Sequence, residues 1–367
     1  MERQLGLSIY PDKMSVEEIE NYLKFAFENN FTRAYFTFLP INLLENNATT
    51  LLPQILNAIK VAKKIGFNIT VDVNQRILDI LKITISDSIW FQKNQIDIVR
   101  LDLPMDAQTI ANLSYNQENI KFELQMSNPN FALQDILSYD PKKRNLLGCQ
   151  NFYPQNYTGL SLKFFEKTSR PFVENGIKTT SYLTSQNPKA FCSWPNSKRT
   201  PTLEWCRNLP ITVQAKFMWM TKQVDDLIIA NCPALPEEII TLGKTDRFIF
   251  ELDVELESNL NPIEKIVMFE NQHQNRGDIN DYLIRSTKTR VKYKNESNPK
   301  RILQVKYFEV GDILIGNDES GLYKNELQIV KTRIPKSEDK NLVAKLSEEN
   351  LSLLNLFEPW LRFKLMS

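Results

Sequence analysis

One histidine, ten glycines and four cysteines in 367 residues limit the chemistry open to this chain. The single histidine, His273, cannot supply the several histidines of a zinc site, and a Ser-His-Asp triad would have to be built around it. Glycine is too scarce for phosphate-binding loops, and the GxGxxG turn of dinucleotide-binding folds is absent. We therefore expect carboxylates to carry any acid–base chemistry, without a cofactor or a metal ion.

The net charge is small, and the apolar runs are short. The 45 Lys and Arg residues balance 44 Asp and Glu residues to a net charge of +1, which gives no electrostatic case for a nucleic-acid or membrane partner. The apolar runs are shorter than the roughly 20 residues of a membrane span. The opening MERQLGLSIYPD contains no apolar stretch typical of signal peptides. The cysteines lack CxxC spacing and are expected to be free thiols, so we predict a cytoplasmic protein.

The first 245 residues alternate β-rich runs with amphipathic helical segments. Ser15 and Glu18 form a capping-box pattern before an amphipathic segment, and Gly66 follows a helix predicted over 51–65. Strands are predicted at 5–10, 33–38, 68–73, 96–103, 120–126, 145–152, 177–183 and 226–230. Eight strands, most of them separated by a helix, predict an α/β fold with a closed (β/α)₈ barrel, the TIM barrel.

The pattern changes after Gly243. The run RFIFELDVEL (247–256) alternates as a strand does, and further strands are predicted at 282–285, 289–293, 313–315 and 326–334. No helix is predicted in this part before 348–357. We therefore expect a barrel domain over 1–244 and a small, mostly antiparallel β-barrel domain over 245–367.

Reactive residues of a (β/α)₈ barrel lie at the C-terminal ends of its strands. Carboxylates and amides suited to sugar hydroxyls follow several predicted strands: Asp12, Asp72, Asp102, Gln150, Asn151 and Asn231. Phe152 and Tyr153 could pack on an apolar sugar face, and Glu204 follows the long loop after the seventh strand. Two carboxylates across the mouth are the minimum for glycoside hydrolysis, one to protonate the leaving oxygen and one to act as nucleophile or base.

Each of these residues also has a structural interpretation. The acids could cap helices or pair with arginine, as Asp102 could with Arg100 on the same strand. The aromatic rings of Phe152 and Tyr153 could belong to the core. His273 lies in a polar segment and is expected to be an exposed or structural residue rather than a general base.

Several motifs together resemble one family. They are LGLSIYPD (5–12), RLD (100–102), NFYPQNYTGLS (151–161), PTLE (201–204), NRGDINDYLIRSTKTRVKY (275–293) and GDILIGND (311–318). In this combination the whole chain resembles the bacterial 6-phospho-N-acetylmuramidases. The resemblance implies a TIM barrel followed by a cyclophilin-like β-barrel. It also implies a cytoplasmic hydrolase of cell-wall recycling that cleaves the β-1,4 bond of N-acetylmuramic acid 6-phosphate–N-acetylglucosamine.

On this resemblance we expect Asp102 and Glu204 to be the catalytic pair, with Asp12 and Asp72 as further candidates. The phosphate and lactyl carboxylate of such a substrate need cationic or amide donors, for which Arg207, Arg285 and Arg290 are the candidates. The remaining expected substrate-binding residues are Gln150, Asn151, Tyr153 and Asn231.

The chain departs from the family pattern at five places, two of which are the segment QMSN (125–128) after the fifth strand and Leu103-Pro104 after RLD. Gln150 and Cys206 stand where the family usually has histidine, and Asn231 stands where it commonly has aspartate. These changes leave open a non-catalytic sugar-phosphate-binding or regulatory paralogue, and a prolyl isomerase role for the second domain is a further alternative. The sequence sets neither the oligomeric state nor the choice between retention and inversion.

Overall fold

The computed structural model describes residues 2–43, 48–127, 133–194, 197, 199–302 and 304–367. Its backbone divides into two compact units, 1–244 and 245–367. The predicted TIM barrel followed by a second, barrel-like β unit is confirmed. None of the described helices is long and apolar enough to cross a bilayer.

The first unit is a closed barrel of eight parallel strands in sequence order, closed by pairing of its first and last strands. The strands are β1 (Leu5–Ile9), β2 (Phe31–Thr37), β3 (Asn68–Val73), β4 (Ile98–Leu101), β5 (Lys121–Gln125), β6 (Leu146–Cys149), β7 (Thr179–Leu183) and β8 (Asp226–Ile229). The helices are α1 (Val16–Glu28), α2 (Leu39–Leu43), α3 (Ala48–Ile65), α4 (Gln75–Leu81), α5 (Ser88–Lys93), α6 (Ala107–Leu113), α7 (Leu133–Ser138), α8 (Leu162–Glu174), α9 (Ile211–Met220) and α10 (Pro236–Lys244). Short 3₁₀ turns lie at Lys143–Asn145 and Glu204–Asn208.

Local signals set the ends of the first helices as predicted. Ser15 and Glu18 form a reciprocal capping box at the start of α1, which buries Ile19 and Leu23 against the barrel. Gly66 follows α3 with a φ of 122°, a conformation that side chains rarely adopt.

Inward-facing side chains fill the barrel in layers, because alternate residues of each strand point inward. The lower layer centres on Arg33, which is fully buried and contacts Glu123 at 2.7 Å and Asp226 at 3.3 Å. The hydroxyls of Thr70 and Thr180 accept two further hydrogen bonds from its guanidinium. The buried cation is therefore fully compensated by carboxylates and hydroxyls from four other strands.

The strands of the second unit are β9 (Phe250–Leu256), β10 (His273–Gln274), β11 (Leu283–Ser286), β12 (Tyr307–Phe308), β13 (Asp312–Gly316), β14 (Leu327–Val330), β15 (Ile334–Pro335), β16 (Lys340–Leu346) and β17 (Arg362–Met366). They form a seven-stranded sheet in the order β10-β17-β9-β16-β13-β14-β11, and a separate pair of β12 with β15. The helices are α11 (Pro262–Phe269), α12 (Lys288–Lys292) and α13 (Glu348–Leu351), with 3₁₀ turns at Asp318–Tyr323 and Leu354–Leu356. A backbone hydrogen bond from Arg276 to Arg285 links the two ends of the sheet.

The sheet is mostly antiparallel, as predicted, with one parallel pair, β17 with β9. Two other predictions for this unit are wrong. A helix, α11, lies well before 348–357: it starts at a capping box of Asn261 with Glu264 and buries Ile263 and Val267, one turn apart. Residues 289–293, predicted as a strand, fall largely in the short helix α12. The β-branched Val291 does not face a core as a strand residue would, since it is 69% exposed.

Candidate functional site

A cavity of about 220 Å³, here called the mouth cavity, opens at the C-terminal ends of β2, β3 and β4 and the segment after β6. It is lined by Tyr35, Thr37, Leu39, Asp72, Val73, Asn74, Ile77, Arg100, Asp102, Asn151, Phe152, Tyr153, Pro154, Ser193 and Trp194. Five of the predicted site positions therefore converge where barrel enzymes carry their chemistry: Asp72, Asp102, Asn151, Phe152 and Tyr153.

Asp72, the next-to-last residue of β3, is held by neighbours from β2. Its Oδ2 accepts hydrogen bonds from the hydroxyls of Tyr35 (2.9 Å) and Thr37 (3.0 Å), and its Oδ1 accepts one from the Phe38 amide (3.1 Å). Burial raises the pKa of Asp72 above the usual aspartate value, although the positive charge of Arg100 acts in the opposite direction. Asp72 is thus a rigidly held carboxyl group that retains a proton to higher pH than a free aspartate.

Asp102 follows β4 directly and is exposed to solvent. Its backbone amide donates to the Val73 carbonyl at 2.8 Å, and its Oδ1 accepts a hydrogen bond from Gln125 of β5. Because β3 and β4 are neighbouring strands, Asp72 and Asp102 line the same cavity in two environments, one enclosed and one open. Such a difference lets two carboxyl groups hold different protonation states at one pH.

Arg100 lies below Asp102 on β4, and only 5% of it is exposed. Its Nη2 donates to Oδ1 of Asn151, whereas its Nε is buried without a hydrogen-bond partner. The ion pair with Asp102 that was one interpretation of the sequence is not formed: no carboxylate among the described residues lies within salt-bridge distance of this guanidinium. The Asp102 side chain is turned toward Gln125 instead.

The two aromatic residues after β6 have different surroundings. The ring of Phe152 packs edge-to-face on Tyr182 at 5.1 Å and belongs partly to the core. Tyr153 is half-buried, and burial raises the pKa of its phenol. Its amide donates to the Pro201 carbonyl at 3.0 Å, which fixes this segment at the rim of the mouth cavity.

Glu204 lines a second cavity of about 900 Å³ with Arg207, Tyr157, Gln186 and Arg199. Its two carboxylate oxygens accept hydrogen bonds from Arg207 Nε and Nη2, both at 2.7 Å, and from the amides of Tyr157 (2.9 Å) and Gly159 (2.8 Å). These donors, Arg207 first, lower the pKa of Glu204 to about 2. A carboxylate held so firmly in its ionised form is a poor proton donor near neutral pH.

The expected catalytic pair of Asp102 and Glu204 therefore does not share one cavity. The two cavities have Pro154 and Trp194 in common, but Arg207 and the 157–159 backbone hold Glu204 in the second one. Arg207 is itself buried, and its other guanidinium hydrogen bonds go to the carbonyls of Tyr153, Gln155 and Arg199. Both residues fix the loops around the second cavity.

Other predicted site residues lie away from both cavities. The buried Gln150 side chain donates to Thr168 and Ser169 of α8, both at 2.9 Å. Asn231 is also buried and binds the backbone of Ser185 in the loop after β7. Asp12, in the turn after β1, is partly buried, which raises its pKa.

The two arginines expected from the second unit pair within that unit. Arg285 contacts Glu326 at 2.8 Å and Arg290 contacts it at 3.0 Å. Glu326 is fully buried, and both guanidinium groups lie over the ring of Tyr323. Their first role is therefore to neutralise a buried carboxylate.

Sequence reasoning missed Tyr35 and Thr37, which hold Asp72, and it did not identify Arg100 as a cavity residue. The signal was present in the alternation of β2, because residues 33, 35 and 37 share the inward face of the barrel. Trp194, 40% exposed between the two cavities, carried no such signal. Within the described part of the chain, no group of three or more His, Cys, Asp or Glu side chains could hold a metal ion.

Comparisons with known proteins identify the family. The family model of the 6-phospho-N-acetylmuramidase N-terminal domain matches residues 5–244, and that of the C-terminal domain matches residues 250–366. The solved structure of an uncharacterized B. cereus protein is 35% identical, covers 100% of both chains and has a TM-score of 0.88.

A conserved Enterococcus faecalis protein of unknown function is 20% identical, covers 99% of this chain and 96% of its own, and has a TM-score of 0.70, a likeness of fold alone. A search of curated proteins finds no match. The two domain matches, which together span nearly the whole chain, show that it belongs to the 6-phospho-N-acetylmuramidase family of glycosidases.

Proposed function

We propose that the chain hydrolyses the β-1,4 bond of N-acetylmuramic acid 6-phosphate–N-acetylglucosamine, with Asp72 and Asp102 as the reacting carboxyl groups. The observation that carries this proposal is their position in one barrel-mouth cavity, in unlike environments. Family membership supports the phosphorylated muramic sugar as substrate. No metal or cofactor takes part in this proposed mechanism.

In the proposed reaction Asp72 donates the proton to the leaving oxygen. Burial raises the pKa of Asp72, which favours the protonated form that a general acid needs. Asp102 is open to solvent and acts as the nucleophile or as the base that activates water. Glu204, our earlier candidate, instead holds the loop of the second cavity through Arg207.

The two adjoining cavities suit a disaccharide. The mouth cavity, at about 220 Å³, suits a single sugar ring at the carboxyl groups. The larger cavity continues from it past Pro154 and Trp194 and offers Tyr157 and Gln186 to a second ring, the leaving sugar. Aromatic rings pack on the apolar faces of sugars, and amides bind their hydroxyls.

The departures at Gln150, Cys206 and Asn231 do not remove groups from the mouth cavity. Gln150 is bonded to α8, Cys206 is fully buried, and Asn231 binds the backbone after β7. This placement supports the proposal that the chain retains hydrolase activity, over the alternative of a non-catalytic sugar-phosphate binder. We place the reaction in the cytoplasm, in cell-wall recycling; the four buried free thiols suit a reducing compartment.

The test is release of N-acetylglucosamine from the phosphorylated disaccharide. The wild type is compared with Asp72→Asn, Asp102→Asn and Glu174→Gln, the last an exposed control on α8. We expect both aspartate variants to lose at least about 100-fold in kcat, as removal of an acid or base does. Ligand binding without any turnover by the wild type would favour the non-catalytic alternative.

A further inference from the structure

Among the described residues, two arginines lie in the barrel interior, and a carboxylate lies within salt-bridge distance of only one of them. Arg33 contacts two carboxylates and is fully compensated. Arg100 is nearly as buried, yet its side-chain hydrogen bond goes to the neutral amide of Asn151, and its Nε has no hydrogen-bond partner among the described residues. A buried guanidinium with no salt bridge and an unpaired N–H is costly in the folded protein, and an anionic ligand that supplied both contacts would offset that cost.

The nearby carboxylates do not fill this role. Both oxygens of Asp72 accept hydrogen bonds from β2 and the Phe38 amide, and Asp102 accepts one from Gln125. Neither carboxylate lies within salt-bridge distance of Arg100. Among the described residues that line the mouth cavity, Arg100 is the one with a positive charge.

We propose that Arg100 binds an anionic oxygen group of the sugar ring in the mouth cavity, the phosphate or the lactyl carboxylate, with Asn151 fixing the orientation of its guanidinium. This inference rests on the proposed function. An anionic sugar that enters beside two aspartates is repelled by any ionised carboxylate, and Arg100 offsets that repulsion. A guanidinium fork also fits the paired oxygens of a phosphate or a carboxylate.

The first experiment is calorimetric binding to the full-length wild type, Arg100→Met and Arg100→Lys, with Arg170→Met as an exposed control on α8. The probes are N-acetylmuramic acid 6-phosphate, N-acetylglucosamine 6-phosphate, which lacks the lactyl group, and N-acetylmuramic acid, which lacks the phosphate. We expect Arg100→Met to bind N-acetylmuramic acid 6-phosphate about 100-fold more weakly. Arg100→Lys should recover part of that loss, because lysine supplies the positive charge but not the planar pair of donors. Two of the three sugars have one anionic group each. The one of these two that Arg100→Met also binds more weakly contains the group that Arg100 binds.

A melting experiment separates a binding role from a structural one. Without ligand, Arg100→Met should melt at the same temperature as the wild type or higher, since it removes an uncompensated buried charge. With N-acetylmuramic acid 6-phosphate, the wild type should be stabilised and the variant should not. Unchanged affinity in Arg100→Met would overturn the proposal. The proposal would also be overturned if both variants melted at a lower temperature and lost affinity equally for all three sugars, because that result indicates a structural arginine.

Turnover distinguishes this inference from the proposed function. If the wild type binds the sugar through Arg100 but does not hydrolyse the disaccharide, the proposed anion site is supported and the proposed hydrolase activity is refuted. Hydrolysis by the wild type with unchanged kcat/KM in Arg100→Met would refute the anion site alone.

Discussion

Arg207 holds both carboxylate oxygens of Glu204, with Nε–Oε1 and Nη2–Oε2 distances of 2.7 Å. The two residues are three apart in a short 3₁₀ turn, and Arg207 also reaches the carbonyls of Tyr153 and Gln155. This one ion pair connects the loop after β7 with the segment after β6. It makes Glu204 part of the framework of the second cavity.

Glu204→Gln should therefore have a larger effect on the free energy of unfolding than on kcat. The variant leaves the buried Arg207 without its counter-charge, and we expect a loss of about 1–3 kcal/mol in the free energy of unfolding. The measurement is urea denaturation followed by tryptophan fluorescence, with Glu174→Gln as the exposed control. A variant as stable as the wild type would show that the ion pair is dispensable.

The same pair gives a pH dependence with a definite sign. The pKa of Glu204 is lowered to about 2 in the folded chain, whereas an unperturbed glutamate titrates near 4.5. The group therefore stabilises the fold fully above about pH 4.5, and this contribution is lost as the pH falls toward 2. The stability difference between wild type and Glu204→Gln should shrink over that range in melting curves. A difference independent of pH would contradict the assignment.

Arg33 is expected to be essential for folding of the barrel rather than for chemistry. Arg33→Met leaves the buried Glu123 without its cation and Asp226 with Lys178 alone, and breaking a buried ion pair from one side costs about 3–5 kcal/mol. Urea denaturation of this variant should show a large fall in midpoint, whereas Arg170→Met should match the wild type. A small effect would mean that water or a proton compensates the two carboxylates.

His273 provides a probe of the second unit, because it is the only histidine of the chain. Its Nε2 must carry the proton, since it faces the Met268 carbonyl at 3.1 Å, and Nδ1 then accepts from the Ser286 hydroxyl at 3.0 Å. Burial lowers the pKa of His273 to about 4. Between about pH 6.5 and pH 4 the unfolded chain binds a proton that the folded one does not, so stability falls as the pH falls through this range.

The measurement is the titration of the one histidine signal by NMR. We expect no titration between pH 8 and about 5, and a loss of stability on the order of 3 kcal/mol on acidification to pH 4 that is smaller in His273→Gln. A signal that titrates near pH 6.5 would show that the ring is accessible to water.

The sequence was sufficient for the barrel because its signals are local. Alternating strands, the Ser15–Glu18 capping box and Gly66 each act within a few residues. Helix α11 was missed although its Asn261–Glu264 capping box is of the same local kind, since the alternation of RFIFELDVEL favoured an all-β interpretation of the part that follows.

The site could be predicted only where strand order determines it. Asp72 and Asp102 end neighbouring strands, so their shared cavity follows from a barrel built in sequence order. The surroundings of Glu204 could not be predicted, because its carboxylate is held by Arg207 and by amides 45 and 47 residues earlier in the chain. No carboxylate among the described residues forms an ion pair with Arg100. This too depends on the assembled barrel interior, which spacing along the chain does not reveal.

The central claim is that Asp72 and Asp102 are the reacting carboxyl groups of a glycosidase. Its most direct test is the kcat of purified wild type, Asp72→Asn, Asp102→Asn and Glu204→Gln on the phosphorylated disaccharide, with circular dichroism to confirm that each variant is folded. We predict losses of at least about 100-fold for both aspartate variants and less than about tenfold for Glu204→Gln. Nearly full activity in Asp72→Asn, together with an inactive but folded Glu204→Gln, would contradict the account.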